Sequence, residues 1–183
     1  IRFQRNEPSV WDGTASPWVF GDGSPQMPYL IENAAQLAYM ASEINTNSSA
    51  YVGSYFELVA DIDLNGYNWN PIGSSSANAF RGYFDGNNHT IDNLNITVNG
   101  NSPQYVGLFG YLNQAEVSNV NITGNGLISV STTNTTFYVG SIAAYARECT
   151  IDSCSNTTDI RINNTGTTTS YSTYVGGIVG YLT

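Results

Sequence analysis

Apolar residues recur along this chain in short alternating runs rather than in long blocks. In YFELVADIDL, Tyr55 to Leu64, the residues Phe56, Leu58, Ala60, Ile62 and Leu64 take every second position, the period of a strand with one buried face. Leu94-Asn95-Ile96 and Val120-Asn121-Ile122 alternate in the same way, which places Asn95 and Asn121 outside. One stretch has another period. In NAAQLAYMASEIN, Leu37, Met40, Ala41 and Ile44 fall at i, i+3, i+4 and i+7. Asn33 and Gln36 fit a cap with its reciprocal partner, so the spacing predicts a helix over about 33–45.

The apolar words also repeat. YVGLFGYL begins at Tyr105, YVGSIAAYA at Tyr138 and YVGGIVGYL at Tyr174; their Val-Gly steps at Val106, Val139 and Val175 are 33 and 36 residues apart. A looser copy, FRGYFDG, sets Gly82 opposite Gly107. A second column aligns Ile91-Asp-Asn-Leu94, Val117-Ser-Asn-Val120 and Ile151-Asp-Ser-Cys154. The first and fourth residues of each can both point inward only if the third turns the chain, a conformation Asn tolerates. Each unit therefore holds two or three short strands with no room for a crossover helix. Strands that must still pair in parallel are satisfied by a solenoid, one unit per coil. The expected inward ladders are Leu94/Val120/Cys154 and Ile91/Val117/Ile151, and the predicted helix is placed to cover the first coil, whose strand edges would otherwise be open.

Composition narrows the partners. The 183 residues carry a net charge of −9, only 10% are charged, and all five basic residues are Arg. Such a surface repels phosphate backbones and anionic membranes, so nucleic acid is excluded as a partner. With 41% hydrophobic and 13% aromatic residues the chain is too apolar for disorder. Its longest apolar runs fall far short of the ~20 residues of a membrane-spanning helix. A polar remainder of Asn, Ser, Thr and Gly fits an exported β-protein, extracellular or on the cell surface; any leader is expected to be removed or to lie outside this stretch.

These residues resemble the GLUG-motif proteins, a β-solenoid family of bacterial and archaeal cell surfaces. The matching stretches are WDG at Trp11, PYLIENAAQLAYMASEIN at Pro28, YFELVADIDLNGYNWNPIG at Tyr55, FRGYFDGNNHTIDNLNI at Phe80 and the GLFGYL and GGIVGYL repeats. The resemblance implies a right-handed parallel β-helix with one N-terminal capping α-helix, a scaffolding or adhesive surface role, and no conserved chemistry. The chain departs from the motif at Ser141-Ile-Ala-Ala, which is expected to weaken one rung. Residues 1–27 are read as an extension or linking segment and 28–183 as the β-helix domain.

Candidate chemistry is sparse. Asp61-Ile-Asp63-Leu-Asn65-Gly66 opens like a calcium loop, but its twelfth position is Ile72 rather than a bidentate Glu, so the stretch reads as a strand entering a turn. Asp85-Gly86 is a turn former first. His89 is the one histidine and is expected at a corner in a structural role. No catalytic residue, metal or cofactor is assigned. The rival reading, a carbohydrate-active β-helix enzyme, has only Asp61, Asp63 and Asp85 with Arg81 as a nearby set. Cys149 and Cys154 are a candidate disulfide, with two buried thiols the alternative. Seven sequons make Asn47, Asn88, Asn95, Asn121, Asn134, Asn156 and Asn163 candidate N-glycosylation sites; outward Asn95 and Asn121 with loop residue Asn134 are the preferred acceptors. If the chain ends at Thr183, its last rung exposes Val175, Ile178 and Val179, which makes them the expected self-association face. The partners expected are a further copy stacked head to tail as a filament, with residues 1–10 as a linking strand, or other surface proteins or glycans.

Overall fold

The structure, a computed structural model, describes residues 11–100, 104–133, 135–166 and 170–183. The described residues form a parallel β-solenoid of roughly four coils with a single α-helix near the N-terminal end. In chain order the elements are β1 (Tyr29–Ile31), α1 (Ala34–Asn47), β2 (Tyr55–Leu58), β3 (Ile62–Asp63), β4 (Tyr83–Asp85), β5 (Thr90–Asp92) and β6 (Ile96–Asn99). There follow β7 (Tyr105–Val106), β8 (Phe109–Asn113), β9 (Glu116–Ser118), β10 (Asn121–Thr123), β11 (Leu127–Thr132), β12 (Phe137–Gly140) and β13 (Ala143–Arg147). The last coil holds β14 (Thr150–Asp152), β15 (Ser155–Asn156), β16 (Asp159–Asn164), β17 (Thr173–Gly176) and β18 (Val179–Leu182).

No strand is long enough to hold itself; each pairs in parallel with the strand one coil away. Five sheets result, ordered β1-β2-β4-β9-β14, β3-β5-β10-β15, β6-β11-β16, β7-β12-β17 and β8-β13-β18. Among the described residues every full coil thus contains five short strands, where the sequence pattern predicts two or three. The extra divisions come from corners that no apolar period marks: Gln114 and Glu148 take left-handed backbone at φ 53° and 52° at equivalent places in two coils.

The register turns equivalent residues into interior columns. Phe56, Phe84, Val117 and Ile151 form one, Ile96, Ile128 and Ile160 a second, and Val106, Val139 and Val175 a third. Ile72, Phe109, Ala143 and Val179 make a fourth, so the departure at Ser141-Ile-Ala-Ala leaves a small residue in an unbroken column. Rings also meet edge-on across the interior of a coil, as Phe84 and Phe109 do at 5.3 Å between centres.

Three expected alignments are corrected. Val117 lies over Phe84, and Ile91 pairs instead with Ile122 and Ile62. Val120 and Cys154 do occupy successive coils, the Ser155 amide donating to the Val120 carbonyl. Leu94 lies one corner further along, where the Gly126 backbone crosses it so closely that a Cβ there would stand 2.4 Å from its carbonyl oxygen. Gly82 does not face Gly107; Tyr83 pairs with Glu116, and the residues opposite the GLFG phrase are Pro71-Ile72-Gly73. The phrase FRGYFDG resembles the Val-Gly step, yet it begins a different side of the coil.

The front of the stack is covered as a helix period predicts. Asn33 Oδ1 accepts from the Gln36 amide at 3.0 Å, and Gln36 Oε1 accepts from the Glu32 amide at 2.7 Å, one residue before the expected reciprocal partner. Leu37, Met40, Ala41 and Ile44 are buried. Asn45 fastens the helix to the first coil, donating to the Pro71 carbonyl and accepting from the Ser74 amide. Trp18 packs among Tyr29, Tyr39, Tyr51 and Phe56.

Candidate functional site

The acidic residues near His89 are used by the corners of the coils. Asp61 Oδ1 accepts from the Thr90 amide and lies 3.0 Å from His89 Nδ1. The Thr90 amide first, then His89, holds the Asp61 carboxyl below its ordinary value. Asp63 accepts from the Asn65 amide and from Asn93 Nδ2 one coil on. Asp85 accepts from the Asn87 amide and from Asn119 Nδ2, and Asp92 from the Thr123 hydroxyl. Each side chain joins a turn within its coil or a rung to the next coil. Among the described residues, no three His, Cys, Asp or Glu side chains converge as a metal site would require. Arg81, expected near these acids, has a buried Nε without a hydrogen-bond partner.

The sequon residues separate into two groups. Asn47, Asn88 and Asn163 are exposed. Asn95, Asn121 and Asn156 are half-buried and their amides are engaged. Asn95 Nδ2 donates to the Asn93 carbonyl while its Oδ1 accepts from the Leu127 amide of the following coil. Asn121 Nδ2 donates to the Asn88 carbonyl and its Oδ1 accepts from the Ser155 hydroxyl. Asn156 closes a local turn with the Thr158 backbone through both its amide atoms. Alternation correctly puts Asn95 and Asn121 off the core, but it carries no information on the rungs above and below that hold their amides. Asn134 and residues 1–10 lie outside the described residues.

Cys149 and Cys154 flank strand β14 and the corner at Ser153 as free thiols. Cys149 Sγ lies 3.4 Å from the Ala115 amide nitrogen and 3.0 Å from the Arg147 carbonyl; Cys154 Sγ lies 3.2 Å from the Asp152 carbonyl. Burial pushes both thiols above the ordinary thiol value. With Ile151, Ile178, Val179 and Leu182, Cys149 lines a depression of about 410 Å³ at the last coil. Val175 is 48% exposed there, whereas Val139 directly beneath it is fully buried; Ile178 and Val179 are half-buried. This rung therefore presents core side chains to whatever lies beyond it.

Tyrosine columns on the outer face are a feature the sequence reading missed. In each YVG copy one Tyr precedes the Gly corner and another follows it, as in Tyr105 and Tyr111, Tyr138 and Tyr145, Tyr174 and Tyr181. The recurring second Tyr was visible, but attention to glycine and apolar steps passes over it. In the structure Tyr105, Tyr138 and Tyr174 stack, as do Tyr111, Tyr145 and Tyr181. A shorter stack, Tyr55 on Tyr83 with 4.1 Å between ring centres, lies beside Glu57, Asp85 and Glu116 in a groove of about 220 Å³.

No protein-family model matches the chain. Over 124 residues, 64% of its length, the chain is 36% identical to an Evansella cellulosilytica protein provisionally named a Gly-rich membrane protein. Over 187 aligned positions covering 92% of its length it is 34% identical to halomucin of Haloquadratum walsbyi. The chain spans 13% and 2% of the lengths of these two relatives. A crystal structure of a Bacteroides ovatus protein provisionally called an immunoglobulin A1 protease aligns with a TM-score of 0.41 and 18% identity, covering 89% of this chain and 64% of that one. Within the described residues no helix is long and apolar enough to cross a membrane.

Proposed function

We propose that this chain is a non-enzymatic structural or adhesive module of the GLUG type, displayed on the outside of the cell. The observation that carries the reading is the use of its polar residues: the carboxylates and amides at the corners connect one coil to the next, so the outer face is a scaffold rather than a set of converging reactive groups. Likeness to much longer proteins, one named a membrane protein and one a halomucin, supports a module carried within a large surface polypeptide. The partners that suit an acidic, Asn- and Thr-rich face are other surface proteins or glycans, not nucleic acid. The test is protease shaving of intact cells that express the parent protein: peptides from this stretch are released without lysis if the reading holds, and only after lysis if it fails. Incubation of the chain with acidic polysaccharides, with and without calcium, leaves no new reducing ends or unsaturated products; either product would favour the enzymatic alternative.

A second reading, a subunit of a head-to-tail filament, is favoured by the exposed core of the last coil at Val175, Ile178 and Val179. A further coil fits that surface, whether supplied by a longer chain or by a neighbouring subunit. Light scattering and electron microscopy of the parent protein separate the two, since discrete particles support the first source and regular fibres the second.

A further inference from the structure

The columns of tyrosine are arranged for a reaction between coils. Ring centres in the first column are 5.3 and 5.0 Å apart with planes at 11° and 5°; in the second they are 4.5 and 5.1 Å apart at 15° and 29°. Within each coil the two rings meet edge-on across the glycine corner, at 5.3, 5.1 and 5.0 Å. Six phenols on three successive coils thus form one continuous half-buried array. Burial raises the values of Tyr105, Tyr111 and Tyr138, so these groups stay protonated phenols throughout the neutral range.

We propose that these columns are a modification site: a one-electron oxidant of the peroxide and haem-peroxidase class couples stacked tyrosines into dityrosine and so staples coil to coil. Each of two neighbouring phenols loses one electron and its O–H proton to give a tyrosyl radical. The radicals join through ring carbons ortho to oxygen, forming one C–C bond, and the two ring hydrogens then return to the oxygens as the rings regain aromaticity. Two electrons and two protons pass to one peroxide, which leaves as two waters. The stacking distance is longer than a bond, and a turn of one ring about its side-chain torsions closes it; rings on the outer face are not locked by a packed core. Proximity favours the coupling, because a radical whose partner is fixed one ring away meets it at a far higher effective concentration than any tyrosine of another molecule. The Tyr111–Tyr145 pair has the shortest spacing in the array, and its cross-link closes a loop from one coil to the next.

The experiment treats dilute protein with peroxide and a haem peroxidase, isolates the monomer, and maps cross-linked peptides by mass spectrometry beside dityrosine fluorescence. The expected products join Tyr111 to Tyr145 and Tyr105 to Tyr138, each with the loss of two hydrogens, and Tyr55 to Tyr83 as a separate product. A Tyr138→Phe/Tyr145→Phe variant keeps the rings but removes the middle phenols, so its monomer loses every coil-to-coil product of the array and retains Tyr55–Tyr83. The proposal is overturned if the wild-type monomer contains no dityrosine, if the bonds occur only in covalent dimers, or if they map to the exposed Tyr67 and Tyr171 instead of the columns. Undiminished total dityrosine fluorescence in the double variant would overturn it too.

Discussion

At the scale of single residues the coil is decided at its corners. Asn93, Asn119 and Ser153 adopt φ of 58°, 56° and 50°, the left-handed region in which Asn is among the best-tolerated side chains. The carboxylate of Asp61 serves a similar end by accepting from the Thr90 backbone. Its folded-state value is lowered, so the stability it adds is fully present above the ordinary carboxylate range and is lost as pH falls through the lowered value. Asp61→Asn keeps an oxygen that can accept from the same amide. Its thermal stability at neutral pH is expected within about half a kcal/mol of the parent, with a shallower decline below about pH 4. Melting curves across that range check this, and an unchanged acid limb would exclude the assignment. Close approach matters as much at Gly140, where a Cβ would stand 2.3 Å from the Ala143 carbonyl oxygen and 2.6 Å from the Gly180 nitrogen. Gly140→Ala is expected to destabilise by roughly 1–3 kcal/mol, because backbone on two sides must move, which urea titration measures.

At the scale of elements, the helix and the strands depend on different things. The amphipathic stripe and the Asn33 cap of α1 are both legible in the sequence, since Leu37, Met40, Ala41 and Ile44 are local to it. Asn33→Ala removes the side chain that accepts from Gln36 and should cost about 1 kcal/mol of stability. The strands draw on neighbours some thirty residues away. Phe84 is buried between Phe56 and Val117 in its column, so Phe84→Ala is expected to cost roughly 3–5 kcal/mol; a loss under 1 kcal/mol by chemical denaturation would contradict that packing. On the side that carries YVG, register in the last three coils is readable because the phrase recurs there in order, while the Ile91 and Leu94 ladders are misaligned by the likeness of their Asn corners. In the first coil register is not readable, because Ile72 answers Phe109 from within a Pro-Ile-Gly phrase while FRGYFDG imitates the glycine step on the wrong side. A local likeness between two glycine phrases cannot say which corner each one turns.

At the scale of the molecule, a solenoid joins each coil chiefly to its two neighbours, so protection should follow position in the stack. Hydrogen exchange of the 183-residue chain is expected to be slowest in β9 to β13, which lie between coils on both sides, and faster in β14 to β18, whose core residues are partly exposed. The same view explains what was legible of the functional surface. Sequons and cysteines are words in the sequence, but the engagement of Asn95 and Asn121 and the stacking of the tyrosines exist only once coils lie above one another.

The central claim is that in-register stacking, and it can be tested with one cross-link. Thr97 and Ser129 are register partners on adjacent coils, while Asn99 pairs with Ser131. In a Cys149→Ala/Cys154→Ala background, cysteines at 97 and 129 lie about 4.8 Å apart between Cα atoms, within the range a disulfide accepts. Mild oxidation should therefore close that bond in the monomer, and leave a control pair at 99 and 129, two positions out of register, largely reduced. Closure of the control pair with an open 97–129 pair would mean that the coils do not stack as described.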